Sequence, residues 1–252
     1  MKRLIISLAC SVLVSGCAVV TGATTPIEDT VKVIQTTTTP KPTIILLHGC
    51  DGMSRFPHYY LGAKEMATWG YNIVMLDSFT KRRAFSVCLQ PSSTLPFERA
   101  RDVEDAAKWI LEQSWHTGKI GVIGYSHGGS SALNVAGEKK NTHISAVVAY
   151  YPHCGFVFVG NPYWDNKIPT QIHIGDSDTW TPSSLCIKDS WSSPLIDYRV
   201  YEYNGAVHAF DQNAPTTLVQ SHKGPQLVGY DAKAAKMAAS RTKEFFNKYI
   251  MN

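Results

Sequence analysis

The chain has no long hydrophobic run: its most apolar stretch, Leu4–Val14, is shorter than the ~20 residues a helix needs to cross a bilayer. Internal repeats are absent, as is any long low-complexity break after position 42, which leaves one domain with a real core rather than a solenoid or an array. Charge of one sign is also missing. The net charge is +4 over 252 residues, and without Lys2 and Arg3 there are 22 basic against 20 acidic side chains, so nothing argues for nucleic acid. The six cysteines never fall two to four residues apart, as paired zinc ligands do, and no histidines cluster with carboxylates. No metal or cofactor is expected.

At the amino terminus Lys2 and Arg3 precede the apolar run, and Val14-Ser15-Gly16-Cys17 follows it; together they read as a secretory signal over residues 1–16. The last four residues resemble the lipobox of bacterial lipoproteins. That resemblance implies that Cys17 is lipidated and begins the mature chain, and Ala18, which is not acidic, implies an outer-membrane protein facing the periplasm. Residues 17–41, rich in Thr with Pro26 and Pro40, read as a flexible tether, part of which can add an edge strand; residues 42–252 read as the domain. An exported domain with four remaining thiols invites two disulfides. Cys50, Cys88, Cys154 and Cys186 each follow an expected strand, so if the paired strands are adjacent the short-reach pairing is Cys50–Cys88 and Cys154–Cys186.

Thr43–Leu47, Tyr71–Leu76, Lys119–Ile123, Ile144–Tyr150 and Thr170–Ile174 are short continuous apolar runs, the pattern of parallel strands covered on both faces. Helical stretches alternate with them: Ala63–Gly70, Pro96–Gln113, Gly128–Lys139 and, after a late strand at Tyr198–Tyr203, Ala232–Ile250. Alternation of this kind predicts a doubly wound α/β domain, in which ligands sit beyond the carboxyl ends of the strands.

The unusual residues fall at those strand ends. Gly124-Tyr125-Ser126-His127-Gly128 places a serine between glycines where a strand meets a helix, the form of a nucleophile elbow. A serine hydroxyl needs a histidine to take its proton, and the histidine needs a carboxylate. In this architecture the order is serine, acid, histidine. His208 follows the late strand, and Asp176 and Asp178 both follow Thr170–Ile174; spacing alone does not separate the two acids. For the oxyanion, the backbone N–H of His127 is one expected donor, and the N–H of Cys50, in the loop Leu47-His48-Gly49-Cys50-Asp51-Gly52, is the second, with Asp51 the near alternative.

Taken together, the elbow, Gly175–Asp178 after a strand, His208-Ala209-Phe210 and the closing Gly229-Tyr230-Asp231 with Arg241-Thr242 and Phe245-Phe246 resemble the dienelactone hydrolase family of α/β-hydrolases, in its serine-type branch. The resemblance implies an α/β-hydrolase fold with a minimal cap and selects Asp178 over Asp176. It also implies departures. Members acting on dienelactone carry a cysteine nucleophile and two arginines that hold the substrate carboxylate; here Ser126 replaces the cysteine, Arg82 or Arg83 lies where one arginine would fall, and Gln212 occupies the region of the other.

Around the site, Phe56, Tyr59, Tyr125, Tyr151, Trp164 and Trp180 are candidates to line a substrate pocket. The segment 151–169 is too short for a large lid, so a shallow, open site for small or moderate esters is expected. The expected activity is that of a serine carboxylic ester hydrolase. Amide or peptide cleavage, or a catalytically silent envelope lipoprotein that binds a ligand, are the alternatives.

Overall fold

In the computed structural model, residues 25–53, 57–137, 143–155, 166, 168–187 and 196–251 are described. The expected signal peptide and Cys17 lie outside them, as do Phe56 and Trp164. Seven strands form the main sheet: β1 (Val31–Ile34), β2 (Lys41–Leu47), β3 (Asn72–Leu76), β4 (His116–Tyr125), β5 (Ile144–Tyr150), β6 (Thr170–Gly175) and β7 (Tyr198–Tyr203). Their spatial order is β1-β3-β2-β4-β5-β6-β7, with every neighbour parallel except the β1–β3 pair. The continuous apolar runs are therefore inner parallel strands, and Ile44–Leu47 and Ile73–Leu76 are all buried.

β1 shortens the expected tether. Val31, Val33 and Ile34 pack against the core while Lys32 stays exposed, so this stretch pairs with β3 from Val31 opposite Leu76 to Ile34 opposite Ile73. Among the described residues four α-helices cover the sheet: α1 (Pro57–Thr68), α2 (Pro96–Leu111), α3 (His127–Ala136) and α4 (Ala232–Phe246). α2 starts with Pro96 at its first turn, and the Glu98 carboxylate accepts the Leu95 N–H at 2.6 Å; α4 is capped by Asp231, which accepts the Ala234 N–H at 2.8 Å. Val103, Ala106, Ala107 and Ile110, the apolar stripe of α2, are buried.

The sequence pattern missed a hairpin, β8 (Thr217–Ser221) and β9 (Gly224–Val228), between the β7 end and α4. Pro225 lies inside β9, where a proline argues against a strand, and Leu218 and Leu227 point outward, so the apolar alternation marks no core face. Both expected disulfides are present, Cys50–Cys88 between the loops after β2 and β3 and Cys154–Cys186 between those after β5 and β6. Their strands are neighbours in the sheet, the condition on which the pairing was based.

Candidate active site

Ser126 occupies the turn between β4 and α3 with φ 52° and ψ −115°, a strained conformation for a residue with a side chain. The flanking glycines permit it. A Cβ on Gly124 would collide with the Gly128 carbonyl, and one on Gly128 would collide with the carbonyls of Leu47 and His48. The Ser126 N–H donates to the Tyr150 carbonyl at 2.9 Å, which ties the elbow to the end of β5. Ala209 and Tyr151, with φ 62° and 37°, add strained positions around the same site.

The late loops bring the partners in. His208 Nε2 lies 3.0 Å from Ser126 Oγ, and His208 Nδ1 lies 2.7 Å from Asp178 Oδ2. Asp178 also accepts the N–H groups of Trp180 and Thr181 at 2.9 Å each and the Thr181 hydroxyl at 2.7 Å. Burial pushes its carboxyl up, but the His208 imidazole and these donors outweigh burial and hold it below the usual carboxylate range. Asp176 turns away, accepting the Gly205 N–H at 2.8 Å in a surface turn. His222, on the β8–β9 hairpin, is exposed.

Cys50 lines the same hollow as Ser126, and His127 opens α3, where the first N–H groups have no intrahelical acceptor. The Gly49 N–H is used, since it donates to the Tyr59 hydroxyl at 2.7 Å. One residue that the sequence pattern did not single out ties these parts together. Arg99, fully buried on α2, donates to the His48 carbonyl and to His127 Nδ1, both at 2.9 Å, so it joins the loop after β2 to the first turn of α3. Burial lowers its pKa to about 10, which leaves it charged at neutral pH. Its position inside a helical pattern looks like an ordinary surface arginine, and only its burial betrays the role.

The hollow is large. It has a volume of about 900 Å³ and is walled by α1, by α4 and by the start of the β8–β9 hairpin, the element that the sequence did not reveal. Tyr59, Tyr125, Tyr151 and Trp180, all candidates from the sequence, line it. Arg82 and Arg83 do not. The Arg82 guanidinium is held by Asp102 and by the carbonyls of Ser78 and Glu98, and Arg83 is exposed; neither faces the hollow. The charged groups deep in the hollow are instead two aspartates, Asp51 and Asp211.

Residues 29–250 match the dienelactone hydrolase family. The chain belongs to that family. It is 25% identical over 226 residues to a carboxymethylenebutenolidase of Pseudomonas putida, covering 82% of this chain and 85% of that one. The fold is similar to that of a dienelactone hydrolase from Anabaena variabilis, with a TM-score of 0.61 at 18% identity over 87% of this chain and 92% of the other. It is similar also to a dienelactone hydrolase-like promiscuous phosphotriesterase from metagenomic libraries, with a TM-score of 0.63 at 16% identity over 88% and 99% of the two chains. This dienelactone hydrolase family protein is thus a hydrolase with the α/β-hydrolase fold.

Proposed function

We propose that this hydrolase is a serine carboxylic ester hydrolase acting on small to moderate esters through an acyl-enzyme. The observation that carries the reading is the unbroken chain from Ser126 Oγ to His208 at 3.0 Å and from His208 to Asp178 at 2.7 Å. In this reading Ser126 attacks the ester carbonyl while His208 Nε2 takes its proton, and Asp178, kept ionised, holds the imidazole in the tautomer that accepts at Nε2. The His127 and Cys50 N–H groups donate to the tetrahedral oxyanion, the first aided by the positive end of α3. His208 then protonates the leaving alkoxide. A water activated by the same imidazole attacks the acyl-serine, and Ser126 regains its proton as the acid departs.

Labelling with a fluorophosphonate, followed by peptide mapping, tests the mechanism: a stoichiometric adduct on Ser126 that is lost in His208→Ala is expected. A folded protein that takes no label would sink it. We also propose that the protein works outside the cytoplasm, anchored to the bacterial envelope through lipid on Cys17; the two disulfides support an oxidising compartment. Membrane fractionation of the full chain against Cys17→Ser tests this, with release of the variant to the soluble fraction expected.

A further inference from the structure

The interior of the substrate hollow carries unpaired negative charge where the family resemblance implies cationic clamps. Asp51 accepts the Tyr59 hydroxyl at 2.9 Å, and Asp211 accepts the Tyr151 hydroxyl at 2.7 Å, in each case through Oδ1. Neither carboxylate has an ion pair among the described residues. Both remain partly open to the hollow. Asp51 lies close to the nucleophile, since a single point above Gly49 is 3.0 Å from Asp51 Oδ1 and 3.7 Å from Ser126 Cβ. Asp211 is separated from His208 by the Tyr151 ring, whose centroid is 4.6 Å from the imidazole.

Between the two acids stand aromatic faces. The Tyr59 and Tyr125 centroids are 5.6 Å apart, and those of Tyr125 and Tyr151 are 6.3 Å apart. Burial and the neighbouring carboxylates raise the Tyr59 and Tyr151 phenols well above their ordinary pKa, so both stay neutral donors. The other charged groups lining the hollow, Glu65 on α1 and Lys236 and Lys243 on α4, are exposed to solvent. An anionic substrate would meet two carboxylates, with only the exposed Lys236 and Lys243 as cations in the lining. A cationic one would meet two carboxylate oxygens and a set of ring faces, the combination that binds ammonium groups.

Resting on the esterase reading, we infer that Asp51 and Asp211, with the rings of Tyr59, Tyr125 and Tyr151, select esters that carry a cationic ammonium group. The substrate's charge replaces the counter-ion that the protein withholds, while the ester carbonyl reaches Ser126. Burial raises both carboxyls to about 6, the cost of leaving them unpaired, and a bound cation would remove it.

The test compares 2-(trimethylammonio)ethyl acetate with its uncharged isostere 3,3-dimethylbutyl acetate, in the wild type, Asp211→Asn and Asp51→Asn. The cationic-to-neutral ratio of kcat/KM is expected to fall at least about tenfold in each variant, which cancels the intrinsic reactivity of the two esters. Ratios within twofold of the wild type in both variants would overturn the inference while leaving the esterase reading intact. Calorimetric titration with phenyltrimethylammonium reads the site without catalysis. Binding that weakens about tenfold in Asp211→Asn supports the proposal, and an absence of binding to the wild type overturns it even if no ester is cleaved. Failure of the fluorophosphonate to label Ser126 would instead count against the esterase reading alone.

Discussion

Asp178 and Asp211 are both carboxylates near the candidate site, one bonded to the His208 imidazole and the other to the Tyr151 hydroxyl, and their chemistry diverges. Asp178, in the turn after β6, is buried and takes two backbone N–H bonds, a hydroxyl and the His208 ring; its pKa is driven down. Asp211, in the loop after His208, takes a phenol hydroxyl and stands opposite no cation; its pKa is driven up to about 6. Burial pushes both the same way, so the donors decide the sign. In the proposed reading one carboxylate holds its charge permanently, and the other takes its counter-charge from the substrate.

The largest expected effect comes from removing that permanent charge. Asp178→Asn keeps an oxygen for the Trp180 and Thr181 N–H groups but no longer fixes the His208 tautomer, so kcat for ester hydrolysis should fall about 10³–10⁴-fold with the far-UV circular dichroism unchanged. A loss under tenfold would remove Asp178 from the proposed mechanism.

Acid should separate the two kinds of site next. His48 and His173 are buried and neutral, with burial the main cause of folded pKa values near 4 and 3, against about 6.5 in the unfolded chain. The unfolded state therefore binds protons first. Their stabilisation is complete above pH 6.5 and is lost as the pH falls toward 4 and then 3, at most about 3 kcal/mol for His48 and about 5 kcal/mol for His173. Asp51 and Asp211 act in the opposite sense, because their folded pKa of about 6 lies above the unfolded value; the native state gains protons as the pH falls through 6. Urea denaturation at pH 8, 6 and 4 should show a net decline, shallower than the histidines alone would produce.

Asp211→Asn isolates that opposing contribution. It removes an unpaired charge and keeps an acceptor for the Tyr151 hydroxyl, so the variant should be more stable than the wild type by about 1–3 kcal/mol at pH 8, with the gap closing by pH 4. An equal or lower stability at pH 8 would mean that Asp211 is not strained by its charge. The smallest change expected is in Thr181→Val, which strips one hydroxyl from Asp178 and moves it part of the way toward the condition of Asp211. Stability should drop by about 1 kcal/mol and kcat by several-fold. A pH–rate profile identical to the wild type would assign that hydroxyl a packing role.

Sequence legibility tracked the range of each interaction. Continuous apolar runs marked five of the strands because a strand covered on both faces must be apolar throughout, and the elbow was readable because steric crowding allows only glycine at Gly124 and Gly128. The disulfide partners followed from strand adjacency. Pro225 and the outward Leu218 and Leu227 hid the β8–β9 hairpin, and with it a wall of the hollow. Arg82 and Arg83 were drawn to the site by their place in the chain, yet Arg82 is spent on Asp102.

Periodicity, punctuation and steric necessity are local properties, written into neighbouring residues, and they carried the α/β architecture, the candidate nucleophile and the order of its partners. Charge environment is not local. Whether Arg99 is a surface cation or a buried tie between His48 and His127, and whether Asp211 is a loop acid or an unpaired carboxylate facing a hollow, depends on which distant donors and rings close around it. Electrostatic free energy depends on burial and partners summed over the whole surroundings, and those exist only once the chain has folded.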